Sequence, residues 1–150
     1  ERRRECWLRA AEIARVHVDW FPRFGHLYDA RTVELIERGL KISDAELASD
    51  LAACSTLRGE IDTEKERAGV DFWISPPALG AAPRGLGSTG DPVMNIPWSQ
   101  AGLPAITLPA GANADGLPMG LQIAGSFGED EALLSVAATI EKSLVPSPIV

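Results

Sequence analysis

The sequence is short of basic side chains, of cysteine and of histidine, and each shortage removes a class of function. Lys and Arg number 14 against 21 Asp and Glu, a net charge of -7 over 150 residues. That balance opposes binding to phosphate backbones and to anionic membranes. The one basic run, Arg2-Arg3-Arg4, stands where a helical pattern begins and reads as solvated or ion-paired, so no nucleic acid is expected as a partner. The 2 cysteines, Cys6 and Cys54, both fall in helical apolar patterns, as small buried hydrophobes rather than a disulfide framework. This usage suits a reducing compartment, and a cytoplasmic location is expected. No apolar run approaches the length of a membrane span, and the N-terminus lacks the continuous apolar stretch of a signal peptide, so no membrane partner is expected either. H-E-x-x-H, C-x-x-C and paired His/carboxylate spacings are all missing, and neither a metal nor a cofactor is expected.

Several catalytic patterns are absent as well. Gly85, Gly87 and Gly90 have the G-x-G-x-x-G spacing, but Pro83-Arg84 precede them and Asp91-Pro92 follow. A dinucleotide fingerprint needs a strand before it and a helix start after it to hold a pyrophosphate. A nucleophile elbow needs G-x-S-x-G, and Gly87-Ser88-Thr89-Gly90 lacks that spacing. His17 and His26, with Asp19 or Asp29 nearby, lie among aromatic residues, where a hydrogen-bonded structural role is the commoner one. The carboxylate pairs Glu60/Glu64 and Asp62/Glu66 sit on an exposed helix face, where water leaves them untuned for acid–base work. The chain also starts at Glu1, without methionine, which makes a processed or excised fragment an expectation.

What is present is a helical first half. From Glu5 to Trp20, Trp7, Ala11, Ala14 and Val18 recur at spacings of three and four beside a second row of Ile13, Val16 and Trp20, predicting a well-buried helix stopped by Pro22. Phe21 to Tyr28 is aromatic and irregular. Asp29 then caps a short helix through Val33, Leu35 and Ile36, ending at Gly39. Ser43 and Glu46 form a capping box ahead of a long helix to about Arg67. Leu47, Leu51, Cys54, Leu57 and Ile61 line its inner face, and charged residues fill the opposite one. Gly69 ends it, and Val70 to Ile74 suits a short strand.

Between Pro76 and Pro104, 11 of 29 residues are Gly or Pro, and no regular element is expected there. A connection of that length in a compact domain commonly lines a functional site or is held by something else. Ala105 to Leu108 follows, then a turn on Asn113, Asp115 and Gly116, then a strand from Met119 to Ala124 with Met119, Leu121 and Ile123 on one face. A last helix opens on Glu129, Asp130 and Glu131, whose charges suit the positive end of the helix dipole. It buries Leu133, Val136, Ala137, Ile140 and Leu144, and Pro146 and Pro148 close the chain. The reading is one α/β segment over 1–150: helical over 1–69, strands and Gly/Pro-rich loop over 70–125, helix and tail over 126–150. Three short strands make a poor sheet for four helices to cover, so they are expected to complete a larger sheet supplied by another segment or chain.

Six short motifs resemble the amidase signature family of amide hydrolases. They are Asp71-Phe72-Trp73-Ile74-Ser75-Pro76-Pro77, Thr89-Gly90-Asp91-Pro92, Gly102-Leu103-Pro104-Ala105, Leu108-Pro109-Ala110-Gly111, Gly116-Leu117-Pro118-Met119-Gly120-Leu121-Gln122, and Asp130 with Leu133-Leu134. The resemblance covers essentially the whole chain as that family's C-terminal portion. It implies helices packed on a few strands of a mixed sheet, with Gly102 to Ala105 leading into a strand near the active site.

The resemblance further implies a serine nucleophile, a second serine in a cis peptide, a lysine, and backbone amides that hold the oxyanion. No catalytic residue of that set is expected in this chain. It has no adjacent serine pair, and Lys41, Lys65 and Lys142 lie in or beside predicted helices. The residues carried over as substrate-binding are Met94, Asn95, Trp98, Ser99, Gln100 and Gly102. Where the family commonly places asparagine or threonine before its G-x-P-A motif, this chain has Ser99 and Gln100. The implied partners are the upstream part of the same enzyme and a small-molecule amide, with a homo-oligomer possible. Two other functions stay open, the A subunit of the tRNA-dependent glutamine amidotransferase and a non-catalytic interaction module that pairs through its sheet or long helix. For the segment from Met94 to Gly102, an alternative is that Trp98 plugs the core and the rest merely ends the loop.

Overall fold

The structure, a computed structural model, describes the backbone over residues 2–144 and the side chains over 8–144. The side chains of Arg2 to Arg4, Cys6 and Trp7, and the closing Pro146 and Pro148, lie outside the described residues. The chain divides into two compact units, Glu1–Thr56 and Leu57–Val150.

The first unit is helical. Helix α1 (Arg2–Val16) buries Ala10, Ala11 and Ala14, whereas Val16, Val18 and Trp20 are exposed. The helix therefore stops one turn short of the expected Trp20, and of its second apolar row Val16 and Trp20 are exposed while Ile13 is half-buried. Pro22 does not end it. Pro22 lies in the first turn of α2 (Phe21–Phe24), a position where its missing N–H costs nothing, and a 3-10 turn at Gly25–Leu27 follows. The expected irregular stretch is thus two short helical turns, pinned by edge-to-face packing of Tyr28 on His17 and Phe21 and by a 2.7 Å hydrogen bond between His17 Nδ1 and the Tyr28 hydroxyl.

Helix α3 (Ala30–Gly39) begins as expected at Asp29, whose side chain accepts from the Arg31 N–H. Its end differs in kind from a left-handed glycine cap. Gly39 is still helical, and a Cβ there would overlap the Ala10 carbonyl on α1. The glycine lets two helix backbones touch. Helix α4 (Asp44–Ala68) starts on the predicted capping box: the Ser43 N–H and hydroxyl donate to Glu46 Oε2 at 2.9 and 2.7 Å, and the Glu46 N–H donates to Ser43 Oγ at 3.3 Å. These bonds hold the Glu46 carboxyl below its ordinary value. The helix ends at Gly69 with φ of 64°, and the Val70 N–H closes back onto the Lys65 carbonyl.

Among the described residues, the second unit, from Leu57 on, holds a sheet of three strands, β1 (Trp73–Ser75), β2 (Ala105–Ala112) and β3 (Pro118–Ala124), in the order β1-β3-β2. Both pairings are antiparallel. Strand β1 starts three residues later than expected, because the turn that closes α4 consumes the residues just after Gly69. Strand β2 runs four residues beyond Leu108, through an irregularity between Pro109 and Ala112 where Gly111 takes φ of 106°. Proline lacks an N–H, and β2 is an outer strand where that loss is tolerated. The turn between β2 and β3 forms on Asn113, which accepts from the Asp115 and Leu117 N–H groups, with Gly116 at φ of 77°.

Alternation along β3 gives the sheet its two faces. Ile123 and Leu108 face helix α6 (Asp130–Glu141) and form the core with Leu133 and Ala137. Gln122 faces the other way. On that side the Gly/Pro-rich segment is not wholly irregular: a 3-10 turn at Pro92–Met94 leads into helix α5 (Ile96–Ala101).

Candidate functional site

The segment carrying all six candidate residues is folded by local rules that composition hides. Asp91 accepts from the Val93 N–H at 3.0 Å and starts the 3-10 turn. Pro97 stands in the first turn of α5, where proline is accepted. Gly102 ends the helix in the left-handed region, φ 68° and ψ 30°, a conformation costly for any residue with a Cβ. Its N–H bonds to the Ser99 carbonyl, and the Leu103 N–H bonds to the Trp98 carbonyl at 2.9 Å.

Gln122 is the hub beneath this helix. It is 3% exposed, and its Oε1 accepts from the Trp98 indole N–H and from the Ser75 hydroxyl, each at 3.1 Å. Its Nε2 donates to Asn95 Oδ1 at 2.5 Å, and Asn95 Nδ2 donates in turn to the Pro77 carbonyl at 2.9 Å. A buried amide is stable only when its donors and acceptors are matched. Here one side chain ties α5, β1 and the start of the Gly/Pro-rich loop to the middle strand.

The structure therefore sorts the candidate residues by what their polar groups do. Asn95 and Trp98 turn theirs inward to Gln122. Met94 and Gln100 are half-buried, while Ser99 and Gly102 are exposed. In the sequence Gln122 stands as the end of a motif. The available signal was a polar residue between Leu121 and Ile123 on a strand whose faces are both covered. Next to this network, a cleft of about 420 Å³ opens between the loop at Pro76, Pro77, Leu79 and Pro83, Asp91, and the start of β3 at Met119. Gly120 shapes its floor: a Cβ there would come within 2.6 Å of Thr107 Cγ2 and 2.9 Å of Pro77 Cγ. The walls are mainly apolar, so the cleft suits a small neutral ligand better than a highly charged one.

The second unit also contains a Lys–Ser contact, in which Lys65 Nζ hydrogen-bonds the Ser126 hydroxyl. Among the described residues no second serine joins this pair.

Comparison with known proteins agrees with this geometry. Solved structures share the arrangement: one titled as the crystal structure of an amidase superposes with a TM-score of 0.76 at 26% identity, over 94% of this chain and 35% of that one. The 6-aminohexanoate cyclic dimer hydrolase superposes with a TM-score of 0.70 at 24% identity, over 90% of this chain and 33% of the other, a likeness of fold. Among curated relatives, the A subunit of glutamyl-tRNA(Gln) amidotransferase from Methylocella silvestris is 39% identical over 92 residues, 53% of this chain and 18% of the relative. Its namesake from Methylorubrum extorquens is 41% identical over 85 residues, 51% of this chain and 17% of the relative. The chain thus matches under a fifth of the length of these relatives. Residues 42–134 fit the sequence model of the Amidase family, and with more than half of its length accounted for in this way, the chain belongs to the amidase signature family.

Proposed function

We propose that this chain is the C-terminal portion of a serine-dependent amide hydrolase, an enzyme that converts a carboxylic amide to an acid and ammonia or an amine. On this reading it supplies part of the sheet, its covering helices and the wall from Met94 to Gly102. The nucleophilic serine, the second serine and the lysine come from the upstream part of the same enzyme. The observation that carries the reading is the family match over residues 42–134 in a chain without a paired serine. Acyl transfer of this type needs a nucleophile, a proton relay and an oxyanion site in mutual contact, and among the described residues no second serine joins the Lys65–Ser126 contact. Strands β1 and β2 are both outer strands of the sheet, with edges that fit pairing to further strands. In that setting the substrate is a small neutral amide, and the location is cytoplasmic.

A second reading is favoured by the names of the curated relatives, which are amidotransferase A subunits. On that reading the ammonia released would be passed to a partner protein instead of to water. The test mixes this chain with the upstream part and follows ammonia release from small amides. The proposal expects release only from the mixture. Hydrolysis by this chain alone would overturn it, and release that rises when the other amidotransferase components are added would favour the second reading.

A further inference from the structure

Arg58 and Lys65 stand two turns apart on the same side of α4, and both reach the loop between β3 and α6. Lys65 bonds Ser126. Arg58 lies over the Phe127 ring, its guanidinium carbon 3.6 Å from the ring centroid, and its Nε–H donates to the Ala101 carbonyl at 2.8 Å. Ala101 is fully buried and is the last residue of α5. Its carbonyl is one of the groups that a helix end leaves without an internal partner.

Helix α5 has six residues, too few to hold itself. Its N-terminal half is tied down by Asn95 and Trp98 on Gln122, and its C-terminal end by Arg58. A cation at a helix C-terminus satisfies the carbonyl and complements the dipole at once. The planar guanidinium adds something an ammonium lacks, since it donates in its plane while its face covers an aromatic ring. The ring of Phe127, 57% exposed, is the flat surface against which Arg58 lies as it reaches Ala101. At Gly102 a Cβ would come 3.1 Å from Arg58 Nη2 and 3.9 Å from Phe127 Cε2, so the turn after α5 is fitted to the clamp.

We infer that Arg58 is a positioning residue: clamped by Phe127, it sets the place of the α5 wall from the α4 side. Its importance for substrate rests on the proposed function above, whereas the clamp is a property of this chain alone.

The experiment uses this chain labelled with ¹⁵N, in parent form and as Arg58→Met, Arg58→Lys, Phe127→Leu and the Arg58→Met/Phe127→Leu double variant. Thermal melting by circular dichroism verifies folding, and three local signals are read: hydrogen exchange at the Gly102 and Leu103 amides, the Trp98 indole resonance, and the Arg58 Nε–H resonance. Arg58→Met is expected to speed exchange at both amides by about tenfold and to move the Trp98 indole signal. Arg58→Lys restores part of the protection. Phe127→Leu removes the ring-current shift of the Arg58 Nε–H and speeds exchange by less. The double variant behaves as Arg58→Met alone, because the ring acts through the guanidinium. Unchanged exchange at Gly102 and Leu103 in a folded Arg58→Met chain overturns the inference, as do effects that simply multiply in the double variant. If Arg58→Met does not fold, Arg58→Lys decides, since exchange identical to the parent would show that the planar clamp is dispensable. These signals do not depend on hydrolysis, so failure of the amide-hydrolase reading leaves them unaffected.

Discussion

Gln122 Nε2 donates to Asn95 Oδ1 across 2.5 Å, joining the middle strand of the sheet to the residue just before α5. Replacing Gln122 by Leu keeps the approximate volume and strands three partners at once: the Asn95 carbonyl, the Trp98 indole N–H and the Ser75 hydroxyl. An unpaired buried group costs about 1–3 kcal/mol, and because the three partners are only half-buried and can partly turn to water, a loss of about 2 kcal/mol is expected. Urea denaturation followed by tryptophan emission measures it. A loss below about 1 kcal/mol would show that the network relaxes freely and does not hold α5.

Gly39→Ala tests the contact of α1 with α3. Alanine is the better helix former, so intrinsic propensity alone would make this change stabilising. The overlap of the new methyl with the Ala10 carbonyl decides otherwise, with a cost of about 1–3 kcal/mol for forcing two packed backbones apart. Circular dichroism melting of the two proteins gives the sign directly, and a raised melting temperature would refute the close approach.

The start of α4 should be acid-sensitive. The Ser43 hydroxyl and then the Ser43 backbone N–H donate to Glu46 and lower its pKa from the ordinary 4.5. A carboxyl lowered by folding adds stability that is complete above its unfolded value and disappears as pH falls through the folded one. Exchange at the Glu46 and Leu47 amides, corrected for intrinsic rates, should therefore quicken on acidification below about pH 4.5. Glu46→Gln should remove most of that dependence. Protection that is indifferent to pH in the parent would contradict the assignment.

The devices that sequence showed plainly were those closed within one turn. Ser43 with Glu46, Asp29 with Arg31, and the Asn113 to Gly116 turn each satisfy their own backbone groups, so neighbouring residues suffice to predict them. Helix α6 was legible because its buried row repeats without interruption. Elsewhere the deciding partner lies far along the chain. Pro22 looks like a stop in the sequence yet opens a short helix, since proline has the same φ in both settings. Helix α5 was hidden by Pro97 and Gly102, which are its first-turn and end residues rather than breakers. Gly39 carried no sign that Ala10 presses on it. Gln122 was the largest omission, for its partners are 24, 27 and 47 residues away, and no local periodicity records such a meeting.

On the proposed function, this family member holds a pocket wall and the bond-breaking serine lies in the upstream part. Incubating the chain with a serine-reactive fluorophosphonate, followed by intact-mass and peptide mass spectrometry, decides whether that holds. No adduct is expected, including at Ser126 beside Lys65. A stoichiometric adduct on any serine of this chain would contradict it.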